Sequence, residues 1–277
     1  MERPNEIERS IIKKYRREIW RPFVTAIQQY QLLQDGDKIA VCISGGKDSM
    51  LMAKCFQELQ RHGQKPFELA FLMMDPGYHP RNRARIMENA KLLHIPLTIF
   101  ETDIFNIVEH IEDSPCYLCA RMRRGYLYKN AQALGCNKIA LGHHFDDVIE
   151  TILMSMLYSA EIRTMMPKLH STNFDGMQLI RPMYQIRESA IIAWAHTHQL
   201  EFIQCACRFT EKCAQDEHAA DSKRMEMKRL IQSFRKTSAY IDKNIFHSVE
   251  NVNLDTLIGY RSARSGFHSF LDAYDES

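Results

Sequence analysis

Apolar residues recur along the chain with two spacings, one typical of helices and one typical of buried strands. Helical spacing over residues 1–36 predicts a helical lead-in. The run Lys38–Ile43 is apolar and rich in β-branched residues, as expected for a buried parallel strand. Beyond it the two patterns alternate. The predicted strands cover residues 38–43, 67–74, 97–101, 138–141, 179–182 and 201–204, and the predicted helices cover residues 49–61, 81–93, 121–134, 147–159 and 188–199.

This alternation predicts an α/β fold, a doubly wound parallel sheet with N-terminal and C-terminal helical additions. We expect three segments: an N-terminal helical segment (1–36), an α/β domain (37–210) and a C-terminal helical extension (211–277). In a sheet of this kind, ligands bind outside the carboxyl ends of the strands. The loops after the first four strands are therefore expected to converge on one crevice.

The loop after the first strand has the composition of an anion-binding turn. It reads Ser44-Gly45-Gly46-Lys47-Asp48-Ser49 and leads into a helix. Glycines let backbone amides approach a phosphate closely, and the start of a helix adds partial positive charge. Lys47 is a candidate to neutralise phosphate, and Asp48 to hold a bridging Mg²⁺. The structural alternative is a tight polar turn, and the spacing differs from that of the Walker loop.

A second polar loop follows the strand at 138–141 and also leads into a helix. It begins Gly142-His143-His144 and continues to Asp146 and Asp147. Helix capping is the structural alternative, since carboxylates are favourable at a helix start. Beside the phosphate loop, we interpret Gly142, His143 and Asp146 as cofactor-binding residues. Asp147 is a catalytic candidate that holds a metal or transfers a proton.

Two further single residues are candidates for the site. Asp75 follows the second strand and is a candidate for cofactor binding, although a turn aspartate before Pro76-Gly77 explains it nearly as well. Arg123 is a catalytic candidate that could steady an activated oxygen or a phosphate. The alternative for Arg123 is an ordinary solvated helix face.

The cysteines predict a metal centre. Cys116 and Cys119 stand at CxxC spacing before a predicted helix, so both sulfurs can reach one metal or cluster, or form a redox pair. Cys205-Ala206-Cys207 offers a third ligand far away in sequence. Three cysteine ligands leave one iron of a [4Fe-4S] cluster open to bind sulfide. Zinc is the alternative metal.

Together these motifs resemble the PP-loop ATP pyrophosphatase superfamily and, within it, the tRNA 2-thiocytidine synthetase family. The resemblance covers approximately residues 15 to 210. It implies an adenine nucleotide alpha hydrolase-like fold, with the ATP-binding domain at 37–210. The motifs that carry it are SGGKDS (44–49), PCxxC (115–119) followed by RMRRG (121–125), GHHxDDxxET (142–151), MPKL (166–169) and IRP (180–182).

The resemblance implies ATP-dependent replacement of the C2 oxygen of a tRNA cytidine by sulfur, with Mg²⁺ and a [4Fe-4S] cluster as further cofactors. Cys116 and Cys119 are the implied cluster ligands with one later cysteine. The family has a second CxxC pair where this chain has Cys205-Ala206-Cys207, so both Cys205 and Cys207 are open as the third ligand. Adenylation turns a poor leaving group into AMP, which sulfide can displace.

The implied partners are tRNA and a sulfur donor, either sulfide or the persulfide of a cysteine desulfurase. A homodimer is compatible with the resemblance. Since the base must leave its stack, we expect tRNA to be held mainly through its backbone. The basic candidates for that contact are Arg121, Arg124, Lys129, Arg163, Lys168, Lys223, Arg224, Lys228, Arg229, Arg235 and Lys236.

Three other functions are compatible with these motifs. The first is a tRNA 2-thiouridine synthetase, but those enzymes carry additional zinc-finger cysteines at their ends that this chain lacks, so we favour cytidine. The second is an adenylating sulfurtransferase of small molecules. The third is a non-catalytic sensor in which ATP binds and the cysteines report redox state.

Composition narrows the setting without changing these hypotheses. The 277 residues are 45% hydrophobic and 25% charged, which is typical of a folded soluble chain. The N-terminus has no apolar secretion signal and no apolar run reaches membrane-spanning length, so we expect a cytoplasmic protein without a membrane partner. A net charge of +2 points to local rather than global contacts with nucleic acid.

The cytosol keeps thiols reduced, so the eight cysteines are expected to be thiols or metal ligands. Among them, Cys42 and Cys55 are predicted core residues.

Overall fold

The computed structural model describes residues 3–63, 65–109, 115–203 and 223–276. A π-helical turn (Arg16–Trp20) joins the first two helices, and 3₁₀ turns cover Leu254–Thr256 and Phe270–Glu276. The strands are β1 (Lys38–Ile43), β2 (Glu68–Asp75), β3 (Leu97–Glu101), β4 (Lys138–Ala140), β5 (Lys168–His170), β6 (Gln178–Ile180), β7 (Gly259–Ser262) and β8 (Gly266–Ser269). The helices are α1 (Arg3–Ile12), α2 (Arg21–Gln29), α3 (Lys47–His62), α4 (Pro80–Leu92), α5 (Ile104–Glu109), α6 (Pro115–Ala133), α7 (Phe145–Ser159), α8 (Glu188–Thr197), α9 (Lys223–Arg235) and α10 (Ile241–Ser248).

Six strands form one sheet in the order β3-β2-β1-β4-β6-β5. All neighbouring strands are parallel except β5, which pairs antiparallel with β6 at the edge. The predicted α/β fold with a mostly parallel sheet is confirmed. The strand order reverses between β1 and β4, and in open sheets the ligand crevice forms at such a point. The crevice is therefore expected between the loops that leave these two strands.

The described residues fall into two compact units. One is built from ranges 1–148 and 165–222 and contains the six-stranded sheet. The other is built from ranges 149–164 and 223–277 and contains α9, α10 and the β7–β8 hairpin. The sequence pattern predicted a helical extension at 211–277. The hairpin of β7 and β8 lies within that range and was not predicted.

The N-terminal segment is helical, as its apolar spacing predicts. Ile7, Ile11 and Ile19 are buried on the face that joins the main core. Phe23 of α2 is also buried and meets Phe56 of α3 edge to face, with 5.4 Å between the ring centroids. These contacts tie the lead-in to the helix that follows the phosphate loop.

Three details of the elements differ from the sequence prediction. Residues 201–203 form no strand, so the strand expected at 201–204 is wrong for the part that the structure describes. The edge strand β5 was not predicted. Helix α6 begins at Pro115, so Cys116 and Cys119 lie in its first turns and not in a loop before it. Proline is favoured in the first turn of a helix, where its missing N–H costs nothing.

Within the described ranges, no helix has both the length and the apolar character needed to cross a bilayer.

Candidate active site

The phosphate loop adopts a backbone that requires glycine at position 45. Gly45 has φ +85°, and a Cβ at this position would lie 2.5 Å from Cγ1 of Ile86. Gly46 is the N-cap of α3, and no side chain caps that helix. The first amides of a helix have no intrahelical acceptor, so they are available to an anion. The loop therefore has the local geometry of a phosphate cradle.

Lys47 points its ammonium at two carboxylates. Nζ lies 3.2 Å from Oδ1 of Asp48 and 3.2 Å from Oε1 of Glu188, which opens α8. Burial acts to lower the pKa of Lys47, but the two carboxylates outweigh burial and raise the pKa above its ordinary value. Glu188 is 141 residues away in sequence. Sequence reasoning did not select Glu188, because no local pattern relates it to the loop.

The second polar loop meets the first at Gly142. A Cβ on Gly142 would lie 3.2 Å from the backbone nitrogen of Ser49, so the side-chain-free residue lets the two loops pack backbone to backbone. Ser49 Oγ in turn accepts hydrogen bonds from the backbone N–H of Ser44 and from Ser44 Oγ, each at 3.2 Å. The two motifs predicted from separate parts of the sequence are thus in contact.

The ring of His144 joins the carboxylates of these two loops. Its Nε2 lies 3.9 Å from Oδ1 of Asp48, and its Nδ1 accepts a hydrogen bond of 3.4 Å from the backbone N–H of Asp147. Asp147 Oδ2 accepts a hydrogen bond of 2.9 Å from the backbone N–H of His144. This reciprocal pair caps α7 and fixes the ring between Asp48 and Asp147. The sequence predicted His143, and not His144, as a cofactor-binding residue. His143 lines the cavity described below.

Two predicted cofactor-binding carboxylates make structural contacts. Asp146 is buried, and its Oδ2 accepts a hydrogen bond of 2.7 Å from the backbone N–H of Glu188. Asp146 therefore holds the start of α8, whose carboxylate reaches Lys47. Asp75 Oδ1 accepts hydrogen bonds from the backbone N–H of Gly77 (3.0 Å) and Tyr78 (2.8 Å). These bonds are those of a turn aspartate, the alternative given for Asp75 above.

A cavity of about 610 Å³ opens where these loops meet. It lies at the carboxyl ends of β1, β2, β4 and β6, and one wall is formed by α6. The loop after β3 contributes no lining residue among those described, so the expected convergence holds for three of the four predicted loops. The polar lining residues are Ser44, Asp48, Ser49, Tyr78, Arg123, Arg124, His143, Asp147 and Arg181.

Comparison with known proteins identifies the family of this chain. The family model of the PP-loop domain matches residues 18–209, more than half of the chain. A tRNA-cytidine(32) 2-sulfurtransferase of Syntrophotalea carbinolica is 36% identical over 231 residues, which are 82% of this chain and 86% of the relative. The chain belongs to this PP-loop family. A relative of the same name from Geotalea daltonii is 33% identical and covers 92% of this chain and 98% of its own length.

A solved structure supports the fold of this PP-loop protein. The U34-tRNA thiolase NcsA from Methanococcus maripaludis, determined with its [4Fe-4S] cluster, superposes with a TM-score of 0.64 at 20% sequence identity. The match covers 84% of this chain and 79% of that chain. At this identity the likeness concerns the fold.

The described cysteines of this PP-loop protein differ in burial, and one of the buried ones, Cys42, lines the cavity. Cys42 and Cys55 are buried, which confirms them as core residues. Burial raises the pKa of the Cys42 thiol to about 12. Cys119 of α6 is half-buried and packs in the cluster that contains Met74, a residue of the cavity wall. Its neighbour Ala120 also lines the cavity.

The other predicted cluster ligands are only partly covered by the structure. Cys116 lies three residues before Cys119 in the same helix. Cys205 and Cys207 lie outside the described residues. Among the described residues, no three His, Cys, Asp or Glu side chains are grouped as a metal site.

The polar groups at the loop suit a nucleotide with its cation. Asp48 Oδ1 is buried and receives no hydrogen bond from the described residues, although Lys47 Nζ lies 3.2 Å away. A buried carboxylate oxygen that accepts no hydrogen bond from the described residues is a fitting ligand for Mg²⁺, which prefers oxygen donors. The amides at the start of α3 and the Lys47 ammonium supply the positive charge that phosphates require.

Proposed function

We propose that this PP-loop protein is an ATP-dependent tRNA sulfurtransferase that replaces the C2 oxygen of a tRNA cytidine by sulfur. The observation that carries the proposal is the shared cavity. The phosphate loop contributes Ser44 and Asp48 to its wall, and the cysteine-bearing helix contributes Ala120 and Arg123. A nucleotide held by the loop would lie beside the helix that carries Cys119.

The loop and its neighbours have distinct roles in this proposal. The amides from Gly45 to Ser49 hold the pyrophosphate part of ATP, and Lys47 leaves its carboxylate partners to neutralise it. Asp48 and Asp147 are the candidates to hold Mg²⁺. Positive groups arranged in advance around developing phosphate charge lower the barrier of such transfers, which is the role proposed for Lys47 and for Arg123 at the base.

The reaction has two balanced steps. The C2 oxygen of the base attacks the α-phosphorus of ATP, a P–O bond forms, and pyrophosphate leaves with the electrons of the broken P–O bond. Hydrosulfide then attacks C2, its proton passes to solvent or to a carboxylate such as that of Asp147, and the C–O bond breaks to release AMP. A terminal sulfur from a desulfurase persulfide is the alternative donor, with a thiol as the reductant that releases it as sulfide.

The metal centre in this proposal is a [4Fe-4S] cluster held by Cys116, Cys119 and either Cys205 or Cys207, with zinc as the alternative metal. A cluster with three protein ligands supplies an iron that binds sulfide. The partly exposed position of Cys119, next to the lining residue Ala120, suits a ligand better than the buried positions of Cys42 and Cys55 do.

The identity of the base follows the names of the relatives, which specify cytidine 32 of tRNA. We therefore propose that cytidine as the substrate. A protein that acts on tRNA with thiol ligands belongs in the reducing cytoplasm. A homodimer remains a prediction.

Mass spectrometry of tRNA nucleosides tests the proposal. A strain without the gene should lack 2-thiocytidine, and expression of the wild-type chain should restore it. The Cys119→Ala variant should not restore it, because a cluster ligand is lost. Cys136→Ala is the matched control, since Cys136 is buried in the core and is not one of the residues that line the cavity, and it should restore the modified base.

Each alternative function has its own outcome in that experiment, in a pyrophosphate-release assay or in metal analysis. Unchanged 2-thiocytidine after gene deletion would end the proposal, and loss of 2-thiouridine instead would identify the uridine enzyme. Pyrophosphate release without tRNA would indicate a small-molecule acceptor, and no release under any condition would indicate a sensor. Stoichiometric zinc without iron in an anaerobic preparation would refute the cluster.

A further inference from the structure

Arg181 is a buried cation without a carboxylate partner. It follows β6 directly and is 9% exposed. Its Nη1 donates a hydrogen bond to the backbone oxygen of Met166, but Nε is buried and has no hydrogen-bond partner among the described residues. Within the same described ranges no Asp or Glu forms an ion pair with this guanidinium. Burying an unpaired charge is energetically costly, so its presence here points to a function.

The guanidinium remains charged at neutral pH. Burial lowers the pKa of Arg181 to about 10, with a smaller contribution from the nearby Arg124. That value is still well above the pH of a cell, so the folded protein carries a positive charge at this position. The charge lies on the wall of the cavity that also contains the phosphate loop.

Two further arginines line the cavity and are less buried than Arg181: Arg123 is half-buried and Arg124 is exposed. Arg123 Nε is buried without a hydrogen-bond partner, and its guanidinium lies over the ring of Phe105 at 5.5 Å. Arg124 Nε donates only to the backbone oxygen of Ala120, at 3.4 Å. Neither arginine forms an ion pair with a carboxylate of the described residues. The cavity therefore carries three arginines that form no ion pair with a described carboxylate, although Asp147 of the same lining acts on Arg181 at longer range.

We propose that Arg181 is an anion-binding residue that receives a phosphate group inside this cavity. Arginine binds phosphate through several N–H groups at once, and the free Nε supplies one of them. The inference rests on the proposed function for its choice of ligands. The phosphate comes either from the α-position of the nucleotide or from the backbone of tRNA beside the reacting base.

Binding measurements on the full-length, cluster-loaded protein separate these two sources. The variants are Arg181→Met, which removes the charge, and Arg181→Lys, which keeps it. Isothermal titration is done with pyrophosphate, with AMP and with a non-hydrolysable ATP analogue, and tRNA binding is followed as a function of salt. Loss of one charged hydrogen-bonding group should weaken the relevant ligand about 10- to 100-fold in Arg181→Met, and Arg181→Lys should recover part of the loss.

The pattern of losses identifies the source. Weaker AMP and ATP-analogue binding with unchanged pyrophosphate binding would assign the α-phosphate. Weaker tRNA binding, with a slope of log affinity against log salt lower by roughly 0.7–0.9, would assign a tRNA phosphate. Weaker AMP binding in Arg181→Met, together with no tRNA binding by the wild type, would support the anion site while counting against the proposed tRNA substrate.

A control variant separates ligand contact from loop support. Tyr184→Phe removes the hydrogen bond of 2.7 Å that the Tyr184 hydroxyl donates to the backbone oxygen of Met165, next to the carbonyl that Arg181 holds. We expect this variant to bind every ligand as the wild type does. The proposal is overturned if Arg181→Met binds AMP, the ATP analogue and tRNA within twofold of the wild type, or if Tyr184→Phe reproduces its losses.

Discussion

Two groups of buried charge in the same unit have opposite arrangements. Between α1 and α3, Lys54 is 2% exposed and its ammonium is fully used. It lies 3.2 Å from Oε1 of Glu8 and donates to the backbone oxygen of Leu93 (2.8 Å) and to Gln57 (2.7 Å). In the cavity, Arg181 is nearly as buried but has an unused donor and no carboxylate. A compensated charge holds helices together, whereas an uncompensated charge on a cavity wall is prepared for a ligand.

The largest expected effect comes from breaking the compensated group. Lys54→Met should lower the free energy of unfolding by about 3 kcal/mol, because the buried carboxylate of Glu8 loses its buried partner and keeps only one described partner, Arg61, whose side chain is 52% exposed. Urea unfolding measures this loss. AMP formation per folded molecule should stay at the wild-type level.

A double variant tests whether compensation is the cause. Adding Glu8→Gln to Lys54→Met should recover part of the lost stability, since no buried charge is then left unpaired. If the single variant loses less than about 1 kcal/mol, a value typical of surface pairs, the two regions do not differ as described.

The second effect should appear in activity and not in stability. Lys47→Ala should lower the rate of tRNA-dependent AMP formation about 10²- to 10³-fold, as expected when one preorganised positive group is removed from a phosphate site. The unfolding free energy should change little, because the Lys47 side chain is partly exposed at 26%. A large loss of stability with normal turnover would contradict the role of this loop.

The smallest expected effect concerns Glu58, a buried carboxylate of α3 close to Lys54 and Glu8. Burial and the neighbouring Glu8 raise the pKa of Glu58 above its ordinary value. A carboxyl group with a raised pKa stabilises the fold below its unfolded pKa, and this contribution is lost as the pH rises through the folded value. Glu58→Gln should therefore raise the Tm at about pH 8 and lose this advantage near pH 4.

An exposed carboxylate serves as the control for that measurement. Glu68 pairs with Lys38 at 3.3 Å, but its side chain is 74% exposed. Glu68→Gln should change the Tm little at either pH, since exposed pairs contribute roughly 0–1 kcal/mol. An equal pH dependence in both variants would remove the distinction between the two positions.

The parts of the site that sequence reasoning found are local in the chain. A strand pattern, two glycines, a lysine and a helix pattern occupy consecutive positions from Lys38 to His62, so the phosphate loop could be recognised without its surroundings. The same holds for the loop that starts at Gly142. By contrast, β5 has three residues, too few for a period to be recognised, and its antiparallel pairing depends on β6 being in place.

The sequence alone determined which functional groups this protein carries. They are a phosphate-binding loop, a pair of thiols and a pair of carboxylates, and each is formed by residues that are neighbours in the chain. Tertiary structure decided which groups meet. It brought Glu188 to Lys47, turned Asp146 to the start of α8 and placed Arg181 unpaired in the cavity. The first two contacts join residues that are tens of positions or more apart in the chain. The third feature depends on no described carboxylate forming an ion pair with Arg181. Local periodicity carries no information on either, because both follow from how the strands of the sheet are ordered.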